Sequence, residues 1–222
     1  HNYWIYLQSK GPDTIYRHYP EKSVEPVKLS YQPVEGITID FDPNDFTQVN
    51  SDMNRKMISR AIDLLDIKPD DSIIDLFCGL GNFTLPISQH AKSVIGVEGE
   101  QRMVQRALET SVRNNITNTK FYCANLFDSF EDKEWFNDFD YNKMLLDPPR
   151  AGALEICQNI EKFDVERIVY ISCNTATLAR DSGVLVNEKG YRLVSAGIMD
   201  MFPHTMHAES IAVFEKNKTK GI

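Results

Sequence analysis

From residue 72 onward, short β-branched and apolar runs alternate with stretches whose apolar positions fall three or four residues apart. That switching of period predicts strand–helix–strand units and therefore a largely parallel sheet. The strand candidates are Ser72–Phe77, the run closing on Glu98, Lys120–Ala124, Met144–Leu146 and Arg167–Ser172. Tyr191–Met199 and Ser210–Phe214 close the series. Helices are predicted from about Met53 to Asp66, from Gly81 to His90 with an interruption at Pro86, from Glu100 to Asn114, and from Ala176 to Asn187. The first of these carries an apolar face of Met53, Met57, Ile58, Ala61, Ile62 and Leu65, and Lys68-Pro69 stops it. Residues 128–140, acidic with Trp135, Phe136 and Phe139, predict a loop or short helix.

Residues 1–46 follow another pattern. Tyr3–Leu7 and Ile15–Tyr19 are aromatic-rich strand candidates around Gly11-Pro12-Asp13. Val27–Ser30 and Ile37–Phe41 alternate polar and apolar residues, flanked by Pro33 and Gly36. We read this as one antiparallel sheet, cut short, appended to the main α/β domain of residues 47–222. Its aromatics with Arg17, Lys22 and Lys28 have the chemistry to stack on bases, but sheet packing is the stronger use.

Composition narrows the classes. At 222 residues, 42% hydrophobic and 25% charged, the chain has the make-up of an ordinary soluble globular protein with a full core. No apolar run approaches the ~20 residues of a membrane helix, and no signal-peptide pattern is present. The chain opens on His-Asn-Tyr-Trp without an initiator methionine, which points to a piece of a longer protein. Cys78, Cys123, Cys157 and Cys173 form no C-x-x-C pair, which argues against zinc or an iron–sulfur cluster within the chain and suits a reducing cytoplasm. The net charge of −8 gives no overall pull toward nucleic acid, so an RNA partner would need a local basic surface.

The stretch from Ser72 to Gly99 carries the first chemistry. A buried strand, a turn with Gly79 and Gly81, a helix and a second strand ending in Glu98 make the nucleotide-binding half of a doubly wound sheet. Glu98 is placed to accept both hydroxyls of a ribose. Thr84 occupies the third glycine position of a dinucleotide fingerprint, and Asp75 before the turn would repel a pyrophosphate but suit a cation. Those two residues favour S-adenosylmethionine over NAD. Gln48 and Asn50 are polar groups on the approach to the sheet, with helix capping by Asn50 or Ser51 as the plain alternative. Asn125, after the third strand, suits an adenine or simply a turn. Asp147-Pro148-Pro149 puts a stiff loop at the carboxyl edge, apt as a wall against a planar base.

Cys173 stands between a strand end and a helix start, where partial positive charge lowers a thiol pKa; the other three cysteines are assigned to the buried, inert class. His204, His207 and Glu209 share a loop without a metal signature, so Glu209 suits a base better than a metal site.

Taken together, Asp-Leu-Phe-Cys-Gly-Leu-Gly-Asn-Phe-Thr, Leu-Leu-Asp-Pro-Pro-Arg-Ala-Gly, Ile-Ser-Cys-Asn-Thr-Ala-Thr-Leu-Ala-Arg-Asp and Met-Phe-Pro-His-Thr-Met-His-Ala-Glu-Ser resemble the motifs of the RNA uracil-C5 methyltransferases, in that family's order. The resemblance runs from about Phe41 to the C-terminus, and the wording around Cys173 is closer to the 23S ribosomal than to the transfer RNA branch. It implies a Rossmann-like seven-stranded sheet of order 3-2-1-4-5-7-6 with the last strand antiparallel. It also implies that Gln48, Phe77, Asn82, Glu98, Asn125 and Asp147 surround S-adenosylmethionine, that Cys173 is the nucleophile and that Glu209 is the base. Thr175 stands where the family commonly has proline. The RNA-binding barrel and four-cysteine cluster motif that many ribosomal members carry are not in this chain. The implied activity is methylation of uridine C5 in RNA, with 23S rRNA as the favoured substrate. A transfer RNA enzyme, an amino-group methyltransferase, an NAD dehydrogenase and a non-catalytic RNA assembly factor are the rivals.

Overall fold

A computed structural model of the chain describes residues 3–10, 14–19, 29–137, 139–201, 204–205 and 208–217. The Gly11-Pro12-Asp13 turn, Lys22, Val27, Lys28, Phe202-Pro203 and His207 therefore lie outside the described residues. The N-terminal strands are β1 (Ile5–Gln8), β2 (Ile15–Tyr19), β3 (Leu29–Val34) and β4 (Ile37–Phe41). They form two separate antiparallel pairs, β1–β2 and β3–β4, rather than the single sheet their alternation predicts. The β3–β4 pair has its own use. Ile37 and Ile39 are buried in one cluster with Leu80 and Leu85, so the pair covers the glycine turn of the main sheet.

Helix α1 (Ser51–Leu65) begins where Asn50 Oδ1 accepts from the Met53 amide at 3.2 Å and ends at Asp66, whose φ of 50° closes it. Its buried face is Asn54, Met57, Ile58, Ala61 and Leu65, with Met53 and Ile62 only partly covered. The main sheet then follows as β5 (Ser72–Leu76), β6 (Ser93–Glu98), β7 (Thr119–Cys123), β8 (Lys143–Leu146), β9 (Arg167–Ser172), β10 (Tyr191–Met199) and β11 (Glu209–Lys216). The helices between them are α2 (Thr84–Ser88), α3 (Gln101–Arg113), α4 (Glu134–Asn137), α5 (Leu154–Gln158) and α6 (Thr175–Asn187).

Across the sheet the order is β10-β11-β9-β8-β5-β6-β7. Counted along the chain this is 3-2-1-4-5-7-6, and β11 runs antiparallel to both of its neighbours. The order implied by the family resemblance is the one found. Successive residues of each central strand face opposite layers. Ile74, Leu76, Met144 and Leu146 pack with Ile156 and Leu185 of α5 and α6, while Ile73, Leu145 and Val169 pack with Met57 and Leu65 of α1. No helix among the described residues is long and apolar enough to cross a membrane.

Two helical expectations need correction. The predicted helix from Gly81 to His90 shrinks to α2, because Gly81 sits at φ 84° and donates to Cys78 O instead of starting a helix. Pro86 is accommodated because it falls in the first turn, where its missing N–H has no helical partner to lose. Helix α5 and the 3-10 turn Ile160–Lys162 were not anticipated, being too short for a 3.6-residue period to show.

Gly96 in β6 is where packing leaves least room. A Cβ there would lie 2.8 Å from Cys78 Sγ and 2.8 Å from Phe121 Cδ1. Gly96→Ala is expected to lose roughly 1–3 kcal/mol of stability, measured by urea unfolding, and Phe121→Leu in the same chain should return part of it. An unchanged midpoint would contradict this packing.

Candidate active site

At the carboxyl edge of the sheet lies a cavity of about 500 Å³. Gln48, Phe77, Asn82, Glu98, Asn125, Asp147, Cys173 and Glu209 all line it. They come from the approach to α1, from the ends of β5, β6, β7, β8 and β9, and from the start of β11. Parallel strands deliver their last residues to one edge, and the reversed β11 delivers its first. A larger hollow of about 810 Å³, between Tyr6 and the charged face of α3, contains none of the eight.

One half of the cavity presents hydrogen-bond acceptors with capacity to spare. Phe77 sits at φ 67°, which turns the chain sharply so that the amides of Phe77 and Cys78 both donate to Val97 O, at 2.9 and 3.1 Å. Gly79 follows at φ 55°, and a Cβ there would meet nothing within 4 Å. Glu98 reaches across the turn. Its Oε2 accepts from the Gly79 amide and its Oε1 from the Glu100 amide, each at 3.0 Å. Each oxygen keeps further acceptor capacity for a ligand hydroxyl. Gln48 Oε1 is buried and has no hydrogen-bond partner among the described residues, so it is a polar atom awaiting a donor.

Several side chains behave differently from the sequence reading. Asp75 does not face the cavity. It is fully buried, its Oδ2 accepts from Thr84 Oγ1 at 2.5 Å, and burial pushes its pKa up to about 7. The argument against a pyrophosphate therefore belongs to the carboxylates that do line the wall. Asn82 lines the cavity, but its amide is exchanged with Asn54: Asn54 Nδ2 donates to Asn82 Oδ1 at 2.9 Å and Asn82 Nδ2 donates back at 3.0 Å. Tyr31 also donates to Asn82, at 3.1 Å. Neither partner was singled out; the available signal was an asparagine, Asn54, at an apolar-face position of α1. Asn125 combines both of its sequence readings, lining the cavity while its Oδ1 accepts from Phe127 N at 3.2 Å in a turn. Cys123 is exposed rather than buried, whereas Cys78 and Cys157 are buried.

The other half of the cavity brings together Asp147, Cys173 and Glu209. Ser210 of β11 pairs with Ser172 of β9, so Glu209 and Cys173 lie one step beyond that pair on adjacent strands. Glu209 is only 6% exposed. Burial, together with Glu209 and Asp75, holds the Asp147 carboxyl well above the usual range. The Cys173 thiol is raised as well, by burial first and then by Glu209 and Asp147, with Arg150 pulling the other way. This corrects the expectation of a helix-lowered thiol: α6 begins only at Thr175, and Asn174 Oδ1 already accepts from the Ala176 amide at 3.1 Å. Two nearby carboxylates and desolvation outweigh a helix end. His204 is exposed and does not line the cavity. No cluster of metal-ligating residues is found among the described residues.

Comparison with known proteins adds a family. The profile of the tRNA (uracil-5-)-methyltransferases matches residues 33–217. The 23S rRNA (uracil(1939)-C(5))-methyltransferase RlmD of Francisella tularensis subsp. holarctica (strain OSU18) is 78% identical over 215 residues, covering 97% of this chain and 48% of the relative. The protein of the same name from Legionella pneumophila (strain Corby) is 53% identical, covering 96% of this chain and 48% of its own length. The chain thus spans about half the length of the curated relatives it matches. Among solved structures, the Pyrococcus abyssi tRNA (uracil-54, C5)-methyltransferase in complex with S-adenosyl-L-homocysteine superimposes with a TM-score of 0.68 at 25% identity, covering 84% of this chain and 44% of that one.

The charge arrangement makes a direct forecast for the thiol. Alkylation of Cys173 by iodoacetamide, followed by mass spectrometry across pH, should rise with a midpoint above that of a free thiol. Glu209→Gln removes a negative neighbour and should move the midpoint down, while Arg150→Ala should move it up. A midpoint below that of a free thiol in the unaltered chain, or an upward move in Glu209→Gln, would refute this account of the site.

Proposed function

The chain belongs to the tRNA (uracil-5-)-methyltransferase family, and from that premise we propose that it methylates C5 of a uridine in RNA using S-adenosylmethionine. The observation that carries this is the meeting of Cys173 and Glu209 in one cavity with the amide-anchored carboxylate of Glu98. The curated relatives named for 23S rRNA support ribosomal RNA as the substrate.

The residues fit the methyl donor. Glu98, already fixed by two backbone amides, is suited to accept the two ribose hydroxyls. The unpartnered Gln48 Oε1 and the Asp147 carboxyl suit the donor's ammonium group. The rings of Phe77 and Phe127, with centroids 5.8 Å apart, and the turn at Asn125 offer a frame for adenine. Arg150 is the one basic residue on the cavity wall among the described residues, against Glu98, Asp147 and Glu209. Such a wall favours a cation and disfavours the pyrophosphate of NAD. When bound, S-adenosylmethionine supplies an electrophilic methyl group on a cationic sulfur, which C5 removes to leave a neutral thioether.

The protein's part is to make C5 nucleophilic and then to release it. The Cys173 thiolate adds to C6 of uracil, and the C5–C6 π electrons move onto C4–O4 as an enolate. Collapse of the enolate forms the new bond at C5. The Glu209 carboxylate then takes the remaining C5 proton, and the electrons of that C–H bond restore the double bond as the thiolate leaves C6. The raised thiol pKa works against both attack and departure of the sulfur, so the site needs a compensating charge. A positive charge beside Asp147 would offset the field that disfavours the thiolate.

The test is covalent trapping with RNA containing 5-fluorouridine, whose fluorine cannot leave as a cation. A denaturing gel should show an RNA–protein adduct with ribosomal RNA fragments, absent in Cys173→Ala. With ordinary RNA, Glu209→Gln should accumulate a methylated adduct that releases product slowly. Glu98→Gln should weaken S-adenosylhomocysteine binding roughly ten- to hundredfold by calorimetry. An adduct with transfer RNA alone would change the substrate assignment. Adduct formation undiminished in Cys173→Ala would end the mechanism.

A further inference from the structure

Four side chains of α6 and its cap hold the backbone of the loop that follows Pro149. Asn174 Nδ2 donates to the Arg150 carbonyl at 3.0 Å, and Thr177 Oγ1 donates to the same oxygen at 3.3 Å. Arg180 Nη2 donates to the Ala151 carbonyl at 2.8 Å. The Ala153 amide donates to Asp181 Oδ2 at 2.8 Å. Asp181 is fully buried, and two further donors face it: the Tyr170 hydroxyl at 2.6 Å and Arg180 Nε at 2.7 Å. Between these anchors Gly152 sits at φ 81°, and a Cβ there would come within 2.6 Å of Asp181 Oδ2 and 2.7 Å of Arg180 Nη2. The loop passes this pair at a separation only glycine allows.

A buried carboxylate is a poor means of gaining stability, because its desolvation offsets much of what its bonds return. What a fully bonded network supplies is a single geometry. Here the geometry concerns two parts of the cavity. The gripped loop continues back through Pro148 to Asp147, and the gripping helix starts two residues after Cys173. Phe77 and Glu98, by contrast, hang on β5 and β6.

We propose that Asp181, with Tyr170 and Arg180, is a positioning device that sets the Pro148–Arg150 wall relative to Cys173 and so governs attack on the uracil ring. It rests on the functional reading above and deepens it. Asp181 touches neither Cys173 nor the cavity; it acts through the Ala153 amide. Its loss should therefore affect formation of the cysteine adduct and spare binding of the methyl donor.

The experiment compares Asp181→Asn and Tyr170→Phe with the unaltered intact protein in three measurements. The adduct-forming rate with 5-fluorouridine RNA should fall roughly ten- to hundredfold, the loss typical of reactants misplaced by about an ångström. The dissociation constant for S-adenosylhomocysteine should stay within about twofold. Amide hydrogen exchange at residues 151–153 should accelerate. Leu65→Ala, which empties a buried position on α1 in the other layer of the sheet, serves as the stability control and should keep the unaltered adduct rate per folded molecule. Adduct rates near the unaltered value in both grip variants would overturn the proposal. So would equal slowing in Leu65→Ala, or unchanged exchange at Ala153. Failure of the functional reading is distinguishable, because then the unaltered protein itself forms no adduct.

Discussion

The reversed strand β11 is the constraint on which the rest of the cavity depends. In a wholly parallel sheet each strand would offer only its last residue to the ligand edge. Because β11 enters between β9 and β10 in the opposite sense, its first residue arrives where β9 ends. The pairing of Ser210 with Ser172 then fixes Glu209 beside Cys173 through backbone hydrogen bonds rather than through side-chain packing. A slip of one residue would turn Glu209 to the other face of the sheet. The register is held on both sides, since β11 also pairs with β10 from Met199↔Glu209 to Tyr191↔Lys216.

That closeness has an electrostatic consequence. Asp147, Glu209 and Cys173 share a cavity of about 500 Å³; beyond burial, Glu209 disfavours ionisation of both Asp147 and Cys173, and Asp147 disfavours the thiolate as well. A cationic ligand beside Asp147 lowers the energy of the charged forms, whereas a phosphate raises it. The charge pattern of the wall is therefore as informative about the ligand class as any single contact, and it replaces Asp75 as the reason for choosing a sulfonium over a pyrophosphate.

Much of the fold was legible because the central strands are nearly continuous apolar runs bounded by turns. Arg167–Ser172 among them, and the edge strand Tyr191–Met199, were delimited to the residue. The eight candidate side chains were also found on one cavity, since strand ends are visible in sequence and strand ends make this edge. What stayed hidden was where side chains point and what surrounds them. Asp75 reads as a ligand group from its place before the turn, yet strand alternation sends it inward to Thr84. Cys173 reads as activated from the helix that follows, yet burial raises its pKa, and so do residues 36 positions after it and 26 before it, Glu209 and Asp147. Asn54 reads as a fault in an amphipathic face and is the partner of Asn82.

The loops at the carboxyl edge have no ladder to satisfy their backbone groups, so helices must supply the bonds. Away from that edge Asn114, at the end of α3, accepts from the amide of Thr38 in β4 and donates to its carbonyl, at 2.9 and 3.0 Å. Arg106 of the same helix pairs with Asp42 and Asp45, which steadies the segment leading to Gln48. At the edge itself α6 does the same for Arg150–Ala153 through Asn174, Thr177, Arg180 and Asp181. The sequence separations are 76 residues in the first case and 28 between Ala153 and Asp181 in the second. No local pattern can reveal partners so far apart. Motif residues such as Arg180 and Asp181, which carry no chemistry of their own, are explained once the loop they hold is seen.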